Sequence, residues 1–299
     1  MSLPAAPAET VLHDRGYTRF SGARDHSTRL PVIALHTFGR GLSQVWVKLS
    51  LILASFPPVV AGVMFYIQHA LIRQVSAATP LEEGGRMAGA LFVLHLLVSW
   101  YGALFAAFTI ALATGSPAIA DDLRSGALPF YLTRPLSRFE YLGGKWLGAL
   151  GTTLLCTLGA ALFSIFHFSL ALPEERFTAL LLIGRTAGFC LLQAATLATV
   201  AVAISAVSTR RSFAQAGFAA LFFLPWLCGA VVAHFSQSFW PSLLSLPALL
   251  ESVGRPLLGL AVDDSPTAVP PLIAAPALAG LIAASVGLAI LRIGKVARS

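Results

Sequence analysis

The chain has 299 residues, of which 57% are apolar and only 11% charged, and its net charge is +7. Mean hydropathy is +0.79. Soluble domains carry about 25% charged residues, so this balance excludes an ordinary soluble enzyme and points to an integral membrane protein. Strand alternation of the barrel type is absent, which leaves an all-α fold class.

In chain order, residues 1–30 begin Pro/Ala-rich and turn basic (HDRGYTRFSGARDHSTR) without an apolar h-region, the pattern expected of a cytoplasmic arm rather than a cleaved signal peptide. From Pro31 to Val47 the pattern changes. Val32, Leu35, Phe38, Leu42 and Trp46 recur at helical spacing while His36, Arg40 and Gln44 take another face. This predicts an amphipathic helix along the inner interface, the alternative being the start of one long first span.

A membrane-spanning helix needs about 20 mostly apolar residues. Six segments reach that length: 47–68, 88–113, 146–172, 177–207, 213–235 and 270–292. The predicted organisation is an arm and interfacial helix over 1–46, a six-span domain over 47–292 and a short tail over 293–299. Within the domain, residues 115–145 form a cytoplasmic loop and 236–269 an outer insertion of one or two short helices, broken by Pro241, Pro247, Pro256 and Pro266. Leu243, Leu246, Leu249 and Leu250 would give that insertion an apolar face in the outer leaflet.

Most of the 20 Lys and Arg residues lie in segments that are cytoplasmic if the N-terminus is inside. By the positive-inside rule both ends are therefore placed in the cytoplasm. The net charge then needs no nucleic-acid partner; it reflects topology and attraction to anionic lipid heads.

The loop between spans two and three reads DDLRSGALPFYLTRP over residues 121–135. Ser116 as N-cap, Pro117 at the first helical position, Asp121 and Asp122 near the positive end of the dipole and Gly126 as stop predict a helix over Pro117–Ser125. An apolar knuckle, Ala127–Leu128–Pro129–Phe130–Tyr131–Leu132, follows. Pro135 bars continuation, and Ser137 with Glu140 forms a capping box, stapled by Leu136 and Tyr141, that starts the third span's helix about two turns early. On residues alone, two readings remain: the knuckle folds back on the membrane or the amphipathic helix, or it docks a cytoplasmic partner.

The run DDLRSGALPFYLTRPLSRFEYLGGKWLGAL resembles the first cytoplasmic loop of ABC-2 type transporter permeases. The wider layout is similar to theirs, in the arrangement also called type V exporter-like. Among them the single-domain bacterial permeases look most similar, including those resembling the copper-site maturation permeases of nitrous oxide reductase clusters. The resemblance implies the transmembrane subunit of an ABC exporter in the bacterial cytoplasmic (inner) membrane. It further implies a second permease copy and a separate ATPase dimer, with ATP and Mg held on that partner and no cofactor on this chain. The implied ATPase-docking residues are Asp121, Asp122, Leu123, Arg124, Leu128, Phe130, Tyr131, Arg134, Pro135 and Arg138. No GxxxxGK[ST] occurs; Gly143–Gly144–Lys145 is followed by Trp146 and lacks the spaced glycine.

Other candidates are sparser. His95, His167 and Arg185 are ionisable within expected spans and are weak substrate-binding candidates, with packing as the alternative. Gly144-xxx-Gly148 and Gly184-xxx-Gly188 would permit close helix approach, including between copies. Cys156, Cys190 and Cys228 lack metal-ligand spacing, so no metal site is expected. A non-transporting membrane scaffold driven by an ATPase is the alternative function, and a membrane enzyme a weaker one, for want of paired Asp, HExxH or a Ser/His pair.

Overall fold

The computed structural model describes residues 29–52, 101–128, 136–171 and 176–296, with scattered positions between 56 and 67. It is helical, with no strand among the described residues. Helix α1 covers Arg29–Ser43, and residues 45–52 are helical after a break at Gln44. That break falls inside the stretch Pro31–Val47 over which the sequence predicts one amphipathic helix, three residues short of its expected end.

Helix α2 covers Tyr101–Thr114, α3 Ala120–Arg124, α4 Arg138–Ala171 and α5 Arg176–Val207. After these come α6, Arg211–Ser236, a 3-10 turn over Trp240–Leu244, α7, Leu246–Leu257, and α8, Pro271–Val296. Among the described residues, Ile183–Val207, Arg211–Ser236 and Pro271–Val296 are long and apolar enough to cross a membrane. The 34 residues of α4 reach about 50 Å at 1.5 Å each, well beyond a hydrocarbon core of about 30 Å. The expected early start of that helix, about two turns, accounts for about 11 Å of the excess.

Helix α5 is the central element. Its apolar window is 72% buried, against 22% and 17% for the windows of α6 and α8, whose remaining faces look outward. Small residues make this possible: Ala194, Ala198, Ala201 and Ala203 are all buried and let neighbouring helices approach closely. One core joins Leu104 and Phe108 of α2, Leu197 and Val200 of α5, Phe218 and Phe222 of α6, and Leu278 of α8. Phe108 anchors it, with its ring centroid 4.3 Å from that of Phe222 and 5.0 Å from that of Phe223. The indole of Trp146 donates to Thr199 Oγ1 at 2.8 Å, tying α4 to α5.

The insertion at 236–269 does hold two short helical pieces, but its apolar face is not turned to lipid. Leu246, Leu249 and Leu250 are buried in the same core as Phe108. Ser245 caps α7 by accepting from Ala248 N at 3.3 Å, and Ser252 Oγ donates to Val269 O at 2.6 Å, holding the returning chain. Leucines on one face of a short helix satisfy a core as well as a leaflet, and the sequence pattern does not distinguish the two.

Helix α1 packs on the bundle through its small residues. The side packed against the protein carries Ala34, Thr37 and Gly41, while Val32 and Leu35 are exposed. Gly144 and Gly148 of α4 accept it: an added Cβ would lie 2.7 Å from Ile33 Cβ at Gly144 and 2.5 Å from Thr37 Cβ at Gly148. The Gly144-xxx-Gly148 spacing is thus used within the chain. Gly184 and Gly188 have nothing within 4 Å of an added Cβ.

Candidate functional site

The described parts of the loop, 115–128 and 136–138, are braced chiefly by α4 and α5. At Gly115 an added Cβ would sit 2.8 Å from Ala201 Cβ, so the chain leaves α2 pressed against α5 and no larger residue fits. Ser116 does not cap the next helix; its hydroxyl turns back to Leu112 O at 2.5 Å. The backbone N–H groups of Ile119 and Ala120 instead both donate to Ser205 Oγ of α5, each at 2.9 Å. The expected nine-residue helix over Pro117–Ser125 is therefore corrected to the five residues of α3, preceded by a turn. Gly126 ends it at φ +68°, the left-handed stop expected there.

Asp122 and Lys145 form the centre of the site. Asp122 Oδ2 lies 2.8 Å from Lys145 Nζ and accepts from the Tyr141 hydroxyl at 2.7 Å. The ammonium also lies 5.7 Å from the centroid of the Tyr141 ring. Asp122 and Lys145 are each 7% exposed and Tyr141 1%. A carboxylate this deep is tolerated because both a cation and a hydroxyl meet it. Around the trio pack Ile119, Leu128 and Ile293, all buried, each worth about 1.5–3 kcal/mol when removed from water.

Asp121 faces the other way and takes Arg40 Nη2 of α1 at 3.2 Å, in a pair open to solvent. The capping box is present: Ser137 N donates to Glu140 Oε2 at 2.7 Å, and Glu140 N donates to Ser137 Oγ at 3.1 Å. The backbone N–H of Ser137 first, and its side chain after it, hold the Glu140 carboxyl below the usual glutamate range. Leu136 and Tyr141 share one cluster, as the staple requires.

Of the sequence-predicted docking residues, Asp122 and Leu128 are corrected: both are buried and hold the loop to the bundle instead of facing outward. Asp121 and Leu123 are half-buried, and Leu123 packs on the same cluster. Arg124 and Arg138 are exposed, as is Phe139 at 67%. The Arg138 guanidinium lies near Gly294 of α8, where an added Cβ would be 3.3 Å from Nη1. Phe130, Tyr131, Arg134 and Pro135 lie outside the described residues, as does His95. His167 falls within α4, but its side chain is outside the description. Arg185 is exposed on α5 with its guanidinium against Gly259, beyond the end of α7.

Sequence reasoning missed Ser205, Arg40 and Lys145 as partners of the loop. A signal existed for Lys145: a buried acid close to a span needs a counter-charge. Nothing in the pattern around Ser205 marks it as a cap for a helix 85 residues away.

A second polar region lies at the opposite end of α2. There Tyr101 donates to Glu251 Oε2 at 3.3 Å, and Arg255 Nη2 stands 2.9 Å from Glu251 Oε1 and 3.9 Å from Asp263 Oδ2. These carboxylates and His234 border a cavity of about 290 Å³. The backbone N–H of Ser265 holds Asp263 below the ordinary aspartate range. No group of three potential metal ligands occurs among the described residues.

Helix α2 thus runs from this second network to the braced loop. No curated protein matches the chain. A protein-family model described as ABC-2 family transporter protein matches residues 32–248, taking in most of α1, the loop and α7's first residues. The chain belongs to the ABC-2 family of transporter proteins, as a membrane-embedded permease subunit of an ABC transporter.

Proposed function

We propose that two copies of this permease assemble with a separate cytoplasmic ATPase that seats on the 115–145 loop and drives substrate outward between the copies. The partner binds ATP and Mg; this chain supplies the docking surface and the path. The observation that carries the reading is the buried Asp122–Lys145–Tyr141 trio. It fixes α3 to the start of α4, while Ser205 fixes it to α5. A push on such a loop moves two long helices together instead of bending a flexible strap, and packed helices respond by shifting as bodies.

The exposed Arg124 and Arg138 give the loop a basic rim suited to carboxylates on the ATPase. The test is co-expression with a candidate ABC ATPase, purification through a tag on the permease, and ATP-dependent flux in proteoliposomes. Retention of the ATPase and flux that stops without ATP are expected. Failure of any ATP-binding subunit to co-purify would remove the docking role.

A further inference from the structure

Helix α1 meets the loop after α2 along a seam closed by Lys145 of α4. In the seam is a cavity of about 20 Å³ lined by Thr37, Arg40, Gln44, Thr114, Asp121 and Lys145, among others. Two buried atoms of these residues, Thr37 Oγ1 and Gln44 Oε1, have no hydrogen-bond partner among the described residues. Both oxygens are themselves closed to bulk solvent.

Thr37 also departs from its peers. The other buried threonines donate to the carbonyl four residues back: Thr114 to Ile110, Thr152 to Gly148, Thr153 to Ala149, Thr157 to Thr153, Thr196 to Leu192 and Thr199 to Ala195. Thr37 makes no such bond to Ile33. A buried hydroxyl or amide oxygen left unpaired is costly, and native structures rarely keep one without a ligand or water.

Size and charge decide the occupant. A site needs roughly 10–15 Å³ to admit one water and two to four polar partners to hold it, which a cavity of about 20 Å³ meets. Arg40 is matched by Asp121 and Lys145 by Asp122, so the seam presents no net charge that would hold a monatomic ion; His36, at the rim, is exposed. We infer that the seam binds one water molecule that joins Thr37 and Gln44 of α1 to the polar wall of the loop. The amphipathic helix is then tied to the loop by an ion pair at the surface and a water beneath it. The water site stands whatever partner the loop docks.

The test is thermal unfolding of the full chain in detergent, using Thr37→Val, Gln44→Leu and the double variant. Valine matches threonine in shape, so the packing against Gly148 is kept. Each single variant strands the water from one partner and lowers Tm by about 2–4 °C. The double variant falls no further than the worse single one, because both remove the same bound molecule. An unchanged or higher Tm for Thr37→Val means a dry hydroxyl and overturns the inference. Additive losses mean separate partners and overturn it as well. A wild-type Tm that shifts when sodium gluconate replaces sodium chloride would show an ion in the seam instead.

Discussion

Lys145 Nζ stands 2.8 Å from Asp122 Oδ2 across the joint between the short helix α3 and the start of α4. Two opposite charges buried at that joint make the loop part of the bundle and not an appendage to it. Removal of either partner leaves the other charge buried and uncompensated, whereas joint removal does not.

Asp122→Asn and Lys145→Met should therefore each destabilise the chain by about 3–5 kcal/mol, and the double variant by far less than their sum. The side-chain amide oxygen introduced by Asp122→Asn would still accept from the Tyr141 hydroxyl, which keeps that group satisfied. Equilibrium unfolding of the four proteins in mixed micelles measures the coupling; additive losses would show that the two charges do not depend on each other.

The cap supplied from α5 gives a local prediction. Ser205→Ala leaves the Ile119 and Ala120 N–H groups without their acceptor, a loss of about 1–3 kcal/mol for buried donors. Amide hydrogen exchange over 118–124 should accelerate. Ser116→Ala, which removes a bond to Leu112 and no cap, should leave those amides protected. The reverse pattern would restore the N-cap that the sequence suggested for Ser116.

Gly148→Ala and Gly184→Ala should separate in sign. At Gly148 the new methyl collides with Thr37 and Ala34, so overpacking costs about 1–3 kcal/mol despite the better helix propensity of alanine. At Gly184 there is open space, and alanine gains up to about 1 kcal/mol. Thermal unfolding distinguishes them.

The capping box predicts an acid limb. The carboxyl of Glu140 is held below its ordinary value of 4.5 in the folded chain. A depressed folded value means stability that is fully present above the unfolded value and is lost as pH falls through the folded one. Local protection at 137–141 should thus decline below about pH 4.5, and Glu140→Gln should flatten that decline. Hydrogen exchange at residues 137–141 between pH 6 and 3 reads it; an identical decline in the variant would assign the acid limb to another group.

The features legible in the sequence were those set by local spacing. The Ser137/Glu140 box, the Gly126 stop and the helical pieces after Ser236 all depend on neighbours within a few residues. What was not legible depends on pairs far apart in the chain. Asp122 and Leu128 read as surface residues because polar and apolar residues in a loop give no sign of what lies behind them; Lys145 and α5 lie behind these. The burial of α7's leucines and the use of Gly144 and Gly148 by α1 are likewise decided by packing that a single-helix pattern does not encode.

The central claim is that energy enters the bundle through the exposed rim of the braced loop. The direct measurement is ATP hydrolysis by the partner ATPase with this permease in nanodiscs, comparing wild type with Arg124→Glu and Arg138→Glu. Both arginines are exposed, so the variants should keep the wild-type Tm. Permease-dependent stimulation of ATP hydrolysis should fall at least tenfold, the factor that about 1.4 kcal/mol of lost interface energy brings. Full stimulation in both variants, at wild-type Tm, would contradict it.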